Sequence, residues 1–143
     1  MPYRFLEEIA TADVAFEAWG STIEETFVAS ADATMNVMVR DLEAIVAREQ
    51  RVIHVEAEAL DMLLFQLLQE LIYFKDAEEL LLRVSQVRIE PRPGGWILDA
   101  DSFSERIDRD RHELIVDVKA VTLHRFALEQ TPQGWRTSVI LDI

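Results

Sequence analysis

Ala59-Leu60-Asp61-Met62-Leu63-Leu64-Phe65-Gln66-Leu67-Leu68-Gln69-Glu70-Leu71-Ile72-Tyr73-Phe74-Lys75-Asp76 is the stretch whose reading decides the fold. Leu60, Leu63, Leu64, Leu67, Leu68, Leu71 and Ile72 recur at helical spacing, so the segment is predicted to be a helix with a wide apolar stripe. A stripe that wide is suited to packing across a sheet. Asp61, Gln66, Gln69 and Glu70 interrupt it, whereas a membrane span needs about 20 mostly apolar residues. The helix is therefore expected in a water-soluble core, with no membrane association.

The flanks supply the sheet. Arg51 to Ala57 alternates and is rich in β-branched residues, which predicts a strand. Downstream, Leu80 to Glu90 reads as a strand, Pro91-Arg92-Pro93-Gly94-Gly95 as a turn, and Trp96 as the start of the return. The charged run Asp101 to Arg111 reads as a loop or irregular crossing. Leu114 to Glu129 reads as one long extended run, Thr131-Pro132-Gln133-Gly134 as a hairpin turn, and Trp135 to Ile143 as the pairing strand. Upstream, Tyr3 to Ile9 and Val14 to Trp19 are extended runs separated by the polar Ala10-Thr11-Ala12-Asp13. Thr22-Ile23-Glu24-Glu25 has the form of a capping box, and Ile23, Phe27, Ser30, Thr34 and Met38 share a face, predicting a first helix over Ile23 to Met38. Asp41 to Gln50 is ambiguous. The pattern is one α+β domain over 1–143, two helices packed on a mainly antiparallel sheet.

Composition narrows the function. The chain of 143 residues has a net charge of −13 and no cysteine. The charge excludes broad, unassisted contact with nucleic-acid phosphates, so no direct high-affinity nucleic-acid binding is expected. It suits a basic partner or divalent cations. The missing thiols exclude disulfides, thiolate zinc, iron–sulfur chemistry and a cysteine nucleophile. The start, Met1-Pro2-Tyr3-Arg4-Phe5 followed by Glu7 and Glu8, is not a signal peptide, and a cytoplasmic location is expected. The histidines His54, His112 and His124 lack helical zinc spacing, and no P-loop, dinucleotide fingerprint or nucleophile elbow occurs. The alternating charges of Asp108-Arg109-Asp110-Arg111-His112-Glu113 read as a solvated, self-paired face.

Two carboxylates stand out. Asp142 interrupts Val139-Ile140-Leu141-Asp142-Ile143, and Asp13 lies in a small-residue break between apolar runs. A carboxylate among aliphatic neighbours costs free energy unless it is paired or metal-bound. Hard oxygens suit Ca²⁺, Mg²⁺ or Mn²⁺, and the carboxylate of Ile143 would add another donor beside Asp142. Lys119 similarly interrupts Val116 to Val121, either on a wet face or bridged to Asp117.

Taken together, these segments resemble the archease family. The resemblance is carried by Ala10-Thr11-Ala12-Asp13 with Val14 to Gly20, Ser21 to Phe27, the helix around Leu67-Leu68-Gln69-Glu70-Leu71, Arg111-His112-Glu113-Leu114, Val118-Lys119-Ala120-Val121-Thr122 with His124, and Val139 to Ile143. It spans nearly the whole chain. It implies that Asp13, Asp142 and Ile143 bind a divalent metal, with calcium foremost, and that Lys119 matters for activity. It also implies an accessory protein rather than an enzyme: one that promotes the GTP-dependent guanylylation and repeated turnover of an RtcB-type tRNA-splicing ligase. The chain departs from the family pattern at Ala10, where a histidine is usual, at Ile115, where glycine is usual, and at Leu123, where tyrosine is usual. The competing readings are a small metal-dependent hydrolase built on Asp13, Asp142 and a histidine, and a chaperone-like interaction module.

Overall fold

The computed structural model describes residues 2–6 and 13–143. The elements run β1 (Tyr3–Phe5), β2 (Asp13–Gly20), α1 (Ile23–Met38), a 3-10 turn (Leu42–Ala44), β3 (Glu49–Ala57), α2 (Leu60–Glu78), β4 (Leu80–Arg92), β5 (Gly95–Arg106), β6 (Ala120–Thr131) and β7 (Gly134–Asp142). The fold is α+β, as expected, with every strand pair antiparallel. The strands divide between two sheets, ordered β1-β2-β7-β6 and β3-β5-β4, where one sheet was expected. Ala10-Thr11-Ala12 and the end of the first extended run lie outside the described residues.

The two helices fill the space between the sheets. Helix α1 touches β2 and β7 on one side and β4 on the other, while α2 touches β3, β4 and β5 on one side and β6 on the other. A helix between two sheets must hide more than one face. In α1, Thr26, Phe27, Ala29, Ser30, Ala31, Ala33, Thr34, Met35, Val37 and Met38 are all buried. The three buried hydroxyls need partners there. Each donates to the carbonyl one turn back: Thr26 to Thr22 at 3.0 Å, Ser30 to Thr26 at 2.8 Å, Thr34 to Ser30 at 2.9 Å.

The α1 cap forms with a shifted partner. The Glu25 amide donates to Thr22 Oγ1 at 3.1 Å, while the Glu25 carboxylate accepts from the amide and hydroxyl of Ser21, one residue before the cap. Helix α2 buries Leu63, Leu64, Leu67, Leu68, Leu71 and Ile72. Each such side chain contributes about 1.5–3 kcal/mol.

Two expectations are corrected. Asp101 to Arg106 belongs to β5 rather than to a loop. Its carboxylates are compatible with a strand because both find partners: Arg88 grips Asp101 from β4 with two hydrogen bonds of 2.7 and 3.0 Å, and Glu105 is paired in the interior. Conversely, 114–119 is not strand. Leu114 makes only an isolated bridge to Val39, and the Val118 carbonyl accepts from Lys75 Nζ at 2.6 Å. Regular pairing starts at Ala120 and is broken again by a bulge between Thr122 and Ala127, where Arg125 adopts a φ of 55°.

The hairpin joining β6 to β7 turns through Pro132 and Gln133, with Thr131 opposite Gly134. Gly134 has a φ of 140°, and a Cβ there would lie 2.2 Å from the Gly20 carbonyl oxygen. This close approach seats the hairpin against the end of β2. Strand β7 then runs back along β2 from Trp135 opposite Gly20 to Asp142 opposite Asp13.

A carboxylate pair on strands β2 and β7

The register of β2 and β7 puts Asp13 directly opposite Asp142. Opposed residues of an antiparallel pair have Cα atoms about 4.5–5.5 Å apart and project from the same face. Both aspartates are partly buried. No hydrogen bond or ion pair engages either side chain among the described residues. Like charges so placed repel by roughly 0.2–1 kcal/mol, a cost that a shared cation reverses. Among the described residues no three His, Cys, Asp or Glu side chains converge as a metal cluster. The donor set at this point is therefore two side-chain carboxylates with Ile143 beside them.

Lys119 lies at the same place in the backbone. Its amide donates to the Asp142 carbonyl at 2.8 Å, and Ala120 is opposite Asp142 on the other side of β7. Helix α2 fixes the chain on both sides of it. Lys75 Nζ donates to the Val118 carbonyl, and Gln69 Oε1 accepts from the Val121 amide at 2.8 Å. The Lys119 side chain is exposed and has no acidic partner among the described residues. Its expected alternative, a bridge to Asp117, is not formed, because Asp117 is taken by Lys75 Nζ at 2.6 Å. Lys75 is itself buried and also paired with Asp76. The positioning roles of Lys75 and Gln69 were not read from the sequence, where both fall within the periodicity of α2.

None of the three histidines joins the aspartate pair. His54 lies across β3 and β5, with Nδ1 2.7 Å from Asp99 and Nε2 2.8 Å from Glu56. His124 lies in the β6 bulge and is exposed. His112 is buried and serves a separate knot around Glu105, a residue that sequence reasoning did not single out. Glu105 Oε1 accepts from the Val46 amide at 2.9 Å and from His112 Nε2 at 2.8 Å. Oε2 accepts from Arg48 Nε at 3.2 Å and from Arg111. The His112 tautomer follows from geometry. The Asp108 amide donates to Nδ1 at 2.9 Å, so Nδ1 carries no proton and Nε2 donates to Glu105.

Burial by itself would push the Glu105 carboxyl up. The Val46 amide, His112, Arg48 and the Arg111 charge outweigh it and bring the pKa down to about 2. Glu113 pairs with Arg40 at 2.5 Å. The run Arg111-His112-Glu113-Leu114 thus ties the end of β5 to the segments that precede β3 and follow α1. Arg109, Asp110, Arg111 and Glu113 are exposed and Arg111 pairs with Asp108, as a solvated, self-paired face requires, whereas His112 is buried.

Comparison with known proteins agrees with the motifs. The model of the Archease protein family matches residues 3–143. The archease of Pyrococcus abyssi is 36% identical over 134 residues, covering 93% of this chain and 94% of that one. The archease of Pyrococcus furiosus is 37% identical over the same shares. The solution structure of protein 1598 from Methanobacterium thermoautotrophicum superposes with a TM-score of 0.85 at 31% identity, covering 99% of each chain. The crystal structure of a Thermotoga maritima archease, described as a possible chaperone, has the same fold at a TM-score of 0.62 and 19% identity, covering 94% of this chain and 93% of that one.

Proposed function

The chain belongs to the archease family, and on that footing we propose that it is a divalent-metal-binding accessory protein of an RtcB-type RNA ligase. It promotes the GTP-dependent guanylylation of the ligase and its repeated turnover, in tRNA splicing or RNA repair. The observation that carries this reading is the Asp13–Asp142 register, in which two carboxylates far apart in the sequence share one face with no counter-charge among the described residues. Asp13, Asp142 and Ile143 hold the ion in this reading, and hard oxygen donors favour Ca²⁺, Mg²⁺ or Mn²⁺. A bound divalent ion supplies charge neutralisation near nucleotide phosphates. Lys119, pinned by its backbone and with no acidic partner among the described residues, contacts a phosphate or an acidic group of the ligase in this reading. The net charge of −13 favours approach to a basic rim around the ligase's active site.

The hydrolase reading loses support because His54 and His112 are engaged elsewhere. Among the described residues no histidine forms a metal cluster with the two aspartates.

The test is a guanylylation assay of a cognate RtcB-type ligase with and without this protein. Stimulation is expected with the wild-type chain, to be abolished by Asp13→Ala or Asp142→Ala, and to be reduced by Lys119→Ala, with circular dichroism unchanged in all three. Normal stimulation by folded aspartate variants would remove the metal from the mechanism.

A further inference from the structure

A cluster of arginines lines a cleft that contains neither Asp13 nor Asp142. The cleft, of about 800 Å³, opens between the start of β3, the end of α2, and the end of β5 with the turn that follows. It is lined by Arg48, Arg51, Arg106, Arg109 and Arg111, five of the chain's 14 lysines and arginines.

The carboxylates that share the cleft are largely engaged. Glu105 is buried under Arg48 and Arg111, Asp108 lies 3.4 Å from Arg111, and Glu78 lies 4.0 Å from Arg51. Only Glu49 has no cation against it among the described residues. The guanidinium groups differ in how far they are used. Arg111 is held at three points: by Glu105, by the Ala44 carbonyl at 3.0 Å, and by Asp108. Arg48 is held through Nε, and its terminal nitrogens have no hydrogen-bond partner among the described residues. Arg106 and Arg109 are exposed, with no carboxylate partner among the described residues.

We propose that this cleft binds a compact polyphosphate, either inorganic or the phosphate chain of a nucleoside triphosphate. Guanidinium groups match phosphate oxygens with paired N–H donors. Glu105 pre-organises two of them through a buried carboxylate, and Arg106 and Arg109 supply unspent donors at the rim. Size follows from charge. Screening limits each contact to about 8 Å at physiological salt, so a compact ligand experiences only the arginine cleft. An extended nucleic-acid strand would lay its further phosphates over a surface that is strongly acidic overall, where it gains nothing. Among the described residues no aromatic side chain lines the cleft, and the Phe74 ring beside it is covered by the Arg51 guanidinium at 4.6 Å, so base stacking adds little.

This inference needs only the chain itself and stands apart from the ligase reading. The experiment is calorimetric titration with tripolyphosphate, a nucleoside triphosphate, a nucleoside and a mixed-sequence single-stranded RNA. A chelator excludes bridging through the aspartate pair. Saturable binding of tripolyphosphate and of the triphosphate is expected, with none for the nucleoside. Equal affinities identify the phosphate chain as the whole ligand, and a tighter nucleotide identifies the nucleotide as the source. Arg106→Ala/Arg109→Ala should weaken both by at least about tenfold, since each arginine removed takes away charge-assisted hydrogen bonds to phosphate. Arg136→Ala, which removes an exposed pair with Glu129 on β6, should change nothing. The proposal is overturned if tripolyphosphate does not bind, if the double variant binds as well as wild type, or if the same arginines retain RNA but not tripolyphosphate.

Discussion

Glu105 and the Asp13–Asp142 pair are carboxylates on β-strands of the same acidic chain, and they are treated in opposite ways. Glu105 is buried, accepts four hydrogen bonds and faces two guanidinium groups. Asp13 and Asp142 face each other with no cation against them among the described residues. A carboxylate whose lone pairs are all satisfied inside the protein has nothing left to offer a ligand, and it stiffens whatever surrounds it. Two carboxylates held together by strand register, with no counter-charge among the described residues, keep their lone pairs for an outside partner, which the proposed function takes to be a cation. The first arrangement serves stability and orients Arg48 and Arg111; the second is the one to which the proposed function assigns a cation.

The largest effect that would break this contrast is expected at Glu105. Glu105→Ala leaves His112, the Val46 amide and two arginines without their common acceptor. Breaking a buried ion pair typically costs about 3–5 kcal/mol, and a urea melt should read a loss of at least about 3 kcal/mol. Glu105→Gln keeps the shape but loses the charge, and should cost less. The acid limb has a definite sign. The folded-state pKa of Glu105, about 2, lies below its ordinary value of 4.5. Its contribution is fully present above about pH 4.5 and is lost as the pH falls toward 2. Glu105→Gln should flatten the stability profile across that window. A profile in the variant as steep as in wild type would place the acid sensitivity elsewhere.

At the aspartate pair the predicted effect is smaller and depends on the ion. Added Ca²⁺ should raise the melting temperature of the wild-type chain, by the equivalent of about 2.7 kcal/mol at a hundred times the dissociation constant. It should do nothing for Asp142→Asn. In chelator the order should reverse. Removing one of two opposed like charges should leave Asp142→Asn as stable as wild type, or more stable by up to about 1 kcal/mol. If Asp142→Asn is instead destabilised by several kcal/mol in chelator, Asp142 is a structural group like Glu105 and the contrast fails.

What could be read from the sequence follows the range of the interactions involved. The apolar period of α2 and the cap and face of α1 are local, and both helices form where they are expected. Asp13 and Asp142 stand out because each breaks an apolar run, and that signal survives without knowing which strands meet. Glu105 gives no such signal. It lies in the charged run Asp101 to Arg111, which reads as a loop or irregular crossing, and its partners come from Val46, Arg48, Arg111 and His112, brought together only by tertiary structure. The same blindness misplaced Asp101 to Arg106 as loop, because cross-strand partners such as Arg88 are invisible to a one-dimensional pattern. The second sheet was missed for a related reason: strand sequences show which face is apolar, but not which neighbour covers it.

The smallest predicted effect concerns a third kind of carboxylate, one paired with a cation that can be switched off. His54 stands exposed on β3 with Glu56 against one ring nitrogen and Asp99 against the other. Both contacts are hydrogen bonds only if both nitrogens carry protons, so this geometry belongs to the imidazolium. The hydrogen bond to Glu56, then that to Asp99, raises the His54 pKa above its ordinary 6.5. Because the folded value is the higher one, the contribution is fully present below about pH 6.5 and is lost as the pH rises through the folded-state pKa. His54→Gln should therefore melt below wild type in mildly acidic buffer and converge with it in alkaline buffer. A constant gap between the two proteins across the same range would show that His54 acts by packing alone. The ordering of carboxylates by what answers their charge would then keep only its two extremes, Glu105 and the aspartate pair.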